Sequence, residues 1–146
     1  ERIVDLGRWD YVSHQVIASP FKPIDYMDKI DVLAARYLTD TKITCKYLTV
    51  ELKKDEAEKS TIDQILKYVD WVCTEYAYGD YEMIEACIIA AGYEEGMDRY
   101  YREVVQRHYT QGSHPVRNKQ WNNLKLLKYT CVDGEIVYED VTPPLR

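Results

Sequence analysis

Asp28-Lys-Ile-Asp-Val-Leu-Ala-Ala-Arg-Tyr-Leu38 and Ile43-Thr-Cys-Lys-Tyr-Leu-Thr-Val-Glu-Leu-Lys53 both suit β-strands, and Thr39-Asp-Thr-Lys42 between them has the make-up of a hairpin turn. The second stretch is rich in β-branched and aromatic residues, which fit a pleated, half-buried surface. So short a connection makes the two strands antiparallel neighbours. Side chains alternate across a strand. Glu51 and Lys53 therefore point one way, while Val50 and Leu52 point the other way and suit a core. If the turn closes the hairpin, Asp31 on the first strand approaches Glu51.

Working outward, residues 54–60 form a charged connection, and Ser60 or Thr61 is placed to cap a helix. Ile62, Ile65, Leu66, Val69 and Val72 follow helical spacing and predict an amphipathic helix over 61–77. Tyr78-Gly-Asp80 breaks it. Ile84-Glu-Ala-Cys-Ile-Ile-Ala-Ala91 is an apolar run with the length of a buried central strand, ended by Gly92. A second helix is predicted over 94–108, with Met97, Tyr100, Tyr101, Val104 and Val105 along it. Residues 110–123 read as polar loop. Residues 124–131 and 135–141 read as two strands about the turn Val132-Asp-Gly-Glu135. Residues 1–28 carry no clear pattern, and the prolines of Ser19-Pro-Phe-Lys-Pro23 demand extended or turn backbone there. The order is hairpin, helix, buried strand, helix, hairpin. Crossover helices on either side of a buried strand imply an α/β fold around a mixed sheet.

The 146 residues suit one domain, spanning 1–146, and 46% hydrophobic residues supply a core without disulfides. The chain opens on Glu1, so it reads as the C-terminal part of a longer protein with a further N-terminal domain. No stretch approaches the roughly 20 apolar residues of a membrane span, and no secretory signal opens the chain. A cytoplasmic location is expected. Cys45, Cys73, Cys87 and Cys131 form no CxxC pair, and His14, His108 and His114 add no ligand spacing. They are expected to be reduced and mostly buried thiols. The 14 tyrosines against a single Phe suit core or boundary positions with a wet hydroxyl, or stacking on bases. A net charge of -6 argues against general nucleic-acid binding, but residues 99–128 carry seven basic residues against Glu103 alone. Such a stretch is commonly a solvated face; it can also contact phosphate inside an acidic protein.

The chemistry lies in three short words: Lys29-Ile-Asp-Val-Leu33, Leu48-Thr-Val-Glu-Leu-Lys-Lys54 and Gln64-Ile-Leu-Lys-Tyr68. Two carboxylates brought together repel unless a cation lies between them. Oxygen ligands of this kind suit Mg²⁺ or Mn²⁺. A lysine beside the pair can hold an attacking water and offset negative charge building on phosphate. Each part alone has a plainer reading. Glu-x-Lys on a strand usually marks a solvated face, Asp31 suits a turn or edge, and Gln64 suits a helix surface.

Together these words resemble the PD-(D/E)XK, or restriction-endonuclease-like, nuclease superfamily, and most closely its RecB-like and NucS-type DNA endonuclease branches. In those branches an Ile-Asp-Leu-like strand precedes a Val-Glu-Leu-Lys strand. A helix with Gln, and Tyr four residues on, comes next, followed by a buried apolar strand. The match covers residues 28–92 well. It departs in having no clear helix before residue 28 to bring a further acidic residue, a role that falls to Glu1 or a residue upstream, or is absent. It departs also in reading Ile30-Asp31 where the family usually has Pro-Asp.

The resemblance implies a restriction-endonuclease-like core, a mixed sheet flanked by helices, and Mg²⁺-dependent hydrolysis of DNA, with Mn²⁺ as a substitute. Asp31, Glu51 and the backbone carbonyl of Leu52 would hold the metal. Lys53 would position or activate the water, and Gln64 would orient the site. Tyr68 would pack beside it or touch DNA, and Arg99, Arg102, Arg107, Arg117 and Lys119 would contact phosphate. A homodimer is compatible with this reading. The alternatives are an inactive nuclease-fold domain that binds DNA or a protein partner, and an unrelated α/β interaction module with Glu51 and Lys53 as surface charges.

Overall fold

The computed structural model describes residues 2–3, 6–18 and 28–145. Residues 19–23 and Glu1, for which the sequence raised expectations, lie outside them. In chain order the elements are β1 (Arg2–Ile3), β2 (Gly7–Arg8), β3 (Tyr11–Ile17), β4 (Lys29–Tyr37), β5 (Thr44–Ala57), α1 (Lys59–Glu75), β6 (Ile84–Tyr93), α2 (Met97–Val104), β7 (Arg107–Gln111), β8 (Arg117–Trp121), β9 (Leu124–Val132) and β10 (Glu135–Asp140). Six strands form one mixed sheet in the order β10-β9-β6-β5-β4-β3. The β5–β6 and β6–β9 pairs are parallel, and the remaining pairs are antiparallel. The fold is therefore the α/β mixed-sheet class that the element order implies.

Helix α1 packs on β5 and β6, and α2 packs on α1. The apolar stripe Ile62, Ile65, Leu66, Val69 and Val72 is buried against Ile84, Ala86, Ile88 and Ala90 of β6. Those four residues align with Tyr47, Thr49, Glu51 and Lys53 of β5, which fixes the odd-numbered residues of β5 on the helix face. On the far face Leu48, Val50, Ala34, Cys87, Ile89 and Leu127 pack with Leu6 and Trp9. Val50 is core as expected. Leu52 is not: it belongs to neither cluster and is 48% exposed.

Several boundaries differ from the sequence reading, each for a physical reason. Strand β5 continues to Ala57, through residues that look like a charged linker. Its register against β6 shifts between Lys53 and Glu56, where one extra residue makes a bulge. The Tyr129 hydroxyl donates to the Lys54 carbonyl there. Beyond the bulge Ala57 returns to the core, and β6 correspondingly passes through Gly92 to Tyr93.

Helix α1 starts at Lys59, so Ser60 and Thr61 lie inside it, and no side chain caps it locally. The carboxylate of Glu94 does so from another element. It accepts the Lys59 backbone N–H at 2.9 Å and its ammonium at 3.3 Å, which satisfies an orphan donor at the positive end of the helix.

Helix α2 is only eight residues long. Arg107 and the segment after it, read as helix end and loop, form the hairpin β7–β8. Two aromatic anchors explain it. The Tyr109 and Trp121 rings sit 5.4 and 6.3 Å from that of Tyr81, and Trp121 Nε1 donates to the Ile84 carbonyl at 2.8 Å. Strand β3, within the unreadable N-terminal segment, is the edge of the sheet and pairs with β4. Of the four free thiols, Cys73 and Cys87 are buried, Cys45 is intermediate and Cys131 is exposed, so "mostly buried" holds for two.

Candidate active site

The antiparallel ladder between β4 and β5 ends at Val32 opposite Val50. One step further, the Asp31 side chain takes over from the backbone. Its Oδ2 accepts the Leu52 backbone N–H at 2.9 Å. Its Oδ1 accepts from Gln15 Nε2 at 3.0 Å. The β3–β4 ladder likewise skips from His14–Val32 to Val16–Ile30, and Gln15 takes a left-handed backbone with φ of 54°. A non-glycine residue rarely adopts that conformation, which costs energy inside a strand. Asp31 is thus held on both sides, against the residue next to Glu51. This geometry contradicts a surface-charge reading in which Asp31 and Glu51 stand far apart.

Glu51 is not on a solvated face. It is 3% exposed, beneath α1. One oxygen, Oε1, lies 2.9 Å from Lys53 Nζ. The other, Oε2, is buried with no hydrogen-bond partner. Burial pushes the Glu51 carboxyl above its ordinary range, the negative charge of Asp31 adds to that, and Lys53 opposes it. A buried carboxylate oxygen without a partner is costly, and a neighbouring like charge makes it costlier. A cation between Asp31 and Glu51 would relieve both, so the donor set fits a hard divalent metal. Among the described residues no group of three or more His, Cys, Asp or Glu gathers as a metal cluster, so further donors would come from backbone carbonyls or water.

Gln64 and Tyr68 lie one turn apart on α1, and Gln64 Nε2 donates to the Tyr68 hydroxyl at 2.8 Å. Tyr68 is buried in the helix-face core, so it packs beside the site and is no surface DNA contact. Burial raises its phenol pKa, and the charges of Glu51, Asp28 and Asp31 add to the effect. The phenol therefore stays protonated close to these carboxylates.

The structure brings Asp31, Glu51, Leu52 and Lys53 together, with Gln64 behind them through Tyr68. It does not gather the basic residues. Arg99 pairs with Glu103 at 3.0 Å, and Arg102 Nε donates to the Pro144 carbonyl. Arg107 is committed elsewhere: Nε and Nη2 grip Asp70 at 2.9 and 3.3 Å, and Nη1 donates to two backbone carbonyls. Arg117 is exposed and Lys119 half-buried on β8. Gln15 is the site residue that sequence reasoning missed. The only available signal was Val12 and Val16 four apart with polar residues between, too weak to mark an edge strand.

No protein-family model and no curated protein matches the chain. Solved structures do. The chain is similar to a repair endonuclease from Pyrococcus abyssi, with 24% identity over 57% of this chain and 32% of that one, and a TM-score of 0.39. It is similar to the EndoMS–dsDNA2 complex, with 24% identity, coverage of 56% and 30%, and a TM-score of 0.39. For EndoMS in its apo form the figures are 18%, 64%, 32% and 0.40. The chain spans about a third of the length of these proteins. No helix among the described residues is long and apolar enough to cross a membrane.

Proposed function

We propose that the chain is the nuclease domain of a metal-dependent DNA endonuclease, with its site at Asp31, Glu51 and Lys53. The observation that carries the reading is the Glu51 carboxylate: buried, paired to Lys53 through one oxygen, unpartnered at the other, and pressed toward Asp31. A Glu-Lys pair on a solvated sheet face would put both groups in water, whereas Glu51 is buried.

Asp31, Glu51 and the Leu52 carbonyl would hold Mg²⁺ or Mn²⁺. Bound there, the ion would supply Lewis-acid polarisation of phosphoryl and water oxygens. The Lys53 ammonium stands where it can hold a water by hydrogen bond and offset the negative charge of a phosphate undergoing attack. Glu51 Oε1 fixes that ammonium in place, and Gln15 and the Leu52 N–H fix Asp31. Gln64 and Tyr68, bonded to each other, flank the site from the helix side. Phosphodiester hydrolysis by this arrangement would leave 5′-phosphate and 3′-hydroxyl ends, as the resemblance to NucS-type nucleases implies.

The deciding experiment incubates the protein with single-stranded, duplex, mismatched and branched DNA in Mg²⁺, Mn²⁺ or EDTA. Cleavage that needs the metal and is lost in Asp31→Asn is expected. Binding without cleavage in every metal would favour the inactive, DNA-binding alternative.

A further inference from the structure

Gln15 has a backbone that its place in the sheet does not call for. Every other non-glycine residue with a left-handed backbone among the described ones, Asp40, Tyr78 and Asp133, lies in a turn between elements, whereas Gln15 stands inside β3 with φ of 54°. Its neighbours keep one unbroken register against β4. Tyr11 to His14 pair with Ala35 to Val32, and Val16 and Ile17 pair with Ile30 and Lys29. Only the step opposite Asp31 is missing from that ladder. No extra residue is inserted there, so the left-handed residue does not repair a slipped register. Strained residues of this kind persist where their surroundings hold them, and they gather at functional sites.

The bond made from this position points at the candidate site. Gln15 Nε2 donates to Asp31 Oδ1 at 3.0 Å, and the Leu52 backbone N–H donates to Oδ2 at 2.9 Å. Gln15 is exposed on an edge strand, so water competes for its bond and the contribution to the fold is small. The effect on Asp31 is larger. A carboxylate turns easily about its last side-chain torsion. One donor leaves its plane loose, whereas a donor on each oxygen fixes the plane and leaves each oxygen a lone pair for a cation. A carboxamide does this without adding charge. A carboxylate in the same place would repel Asp31 and Glu51.

We propose that Gln15 is a positioning residue for the divalent metal. Its carboxamide sets the plane of the Asp31 carboxylate for the ion, and its left-handed backbone is the conformation that presents the carboxamide. The proposal rests on the metal-site reading above and deepens it. Hydrogen bonds to the outer side of a metal ligand commonly set affinity, and losing one costs about 10- to 100-fold. Stability given up at the Gln15 backbone then holds Asp31 ready for the ion.

The test is Mn²⁺ binding without DNA, read from the electron paramagnetic resonance of the free ion, beside thermal melting in EDTA. Gln15→Gly removes the carboxamide and relieves the backbone. Gln15→Ala removes the carboxamide and keeps the Cβ that disfavours a left-handed residue. Both should bind Mn²⁺ about 10- to 100-fold more weakly than the parent. Gln15→Gly should melt at or above the parent, and Gln15→Ala below Gln15→Gly. A bond that served the fold alone would lower both melting points and leave the affinity of the folded protein unchanged. Ser13→Ala, two residues away on the same edge strand, should bind Mn²⁺ as the parent does. The proposal is overturned if Gln15→Gly binds Mn²⁺ as tightly as the parent, or if Ser13→Ala weakens binding as much as Gln15→Gly. In either case a parent that binds Mn²⁺ and cleaves DNA leaves the nuclease reading standing. A parent that neither binds Mn²⁺ nor cleaves DNA removes both.

Discussion

Glu51 combines deep burial with an unpartnered oxygen, and both can be measured. Its carboxyl is held above an ordinary value of 4.5, chiefly by burial. The native chain therefore binds this proton more tightly than the unfolded chain does. The stability due to the group is fully present below about pH 4.5 and is lost as pH rises through the native value. In EDTA at neutral pH, Glu51→Gln should melt higher than the parent by on the order of 1 kcal/mol, about 2–4 °C. That gap should close in acid, and scanning calorimetry across pH would show it. A lower melting point for the variant at neutral pH would mean that the ion pair with Lys53 outweighs the burial. Added Mg²⁺ should raise the melting point of the parent and not of the variant, because only a ligand bound to the native state stabilises it. Lys53 and Lys54 separate chemistry from charge. Lys53 Nζ touches Glu51, whereas Lys54 is exposed at the bulge that follows. Lys53→Ala should lower the cleavage rate by on the order of 10²–10³ with the fold intact, and Lys54→Ala should keep most of it. Equal rates for the two would refute the assignment of Lys53.

Between elements, the hairpin β7–β8 is tied to α1 through one arginine. Arg107 grips Asp70 with two nitrogens, and the Tyr81 hydroxyl donates to the same carboxylate at 2.9 Å. The sequence places Arg107 in a basic stretch and suggests phosphate contact; the structure gives it a partner instead. Arg107→Ala should cost about 1 kcal/mol, since the pair is only partly buried, and should leave the affinity for DNA unchanged. Denaturant melts and a binding isotherm would check both, and a large loss of affinity without a loss of stability would return Arg107 to the interface. What could be read at this scale followed from strong periodicity. The stripe from Ile62 to Val72, the run from Ile84 to Ala91 and the Asp133-Gly134 turn each carry a local signal, and each element is present. What could not be read depends on contacts distant in sequence. Glu94 caps α1 from 35 residues away, Trp121 anchors a hairpin written in polar residues, and the ladder against β6 carries β5 through Lys53-Lys-Asp-Glu56. Glu51 and Lys53 were placed on one face by strand alternation and Asp31 beside them by the hairpin turn, though the same alternation put Leu52 in the core, where it is not. Gln15 was not legible, because its role depends on a left-handed residue in an edge strand.

Across the whole molecule, a net charge of -6 means that DNA, on the proposed reading, would be met by local cations rather than by the overall field. The basic residues stand at two ends of the sheet. Arg99 and Arg102 lie on α2, which follows the C-terminal end of β6. Arg117 and Lys119 lie on β8, whose Trp121 is bonded to Ile84 at the start of β6. Nine residue steps of β6 separate these ends by roughly 30 Å, and Glu51 aligns with Ile88 between them. Arg99 and Arg102 already hold a carboxylate and a carbonyl. The β8 end also lies toward Tyr47, which aligns with Ile84. On the proposed reading, a DNA strand bound at Glu51 and running toward the start of β6 would approach Arg117 and Lys119 rather than α2. Each phosphate contact contributes about 0.7 to 0.9 to the slope of log affinity against log salt. The double variant Arg117→Glu, Lys119→Glu should thus weaken binding at low salt and flatten the slope by about 1–2. The matching reversal of Arg99 and Arg102 should change it by less than about half of that. The measurement is a salt titration of binding in EDTA for the three proteins. A flattened slope only in the α2 variant would place the DNA toward the opposite end of the sheet, and identical slopes throughout would make both basic regions solvated faces.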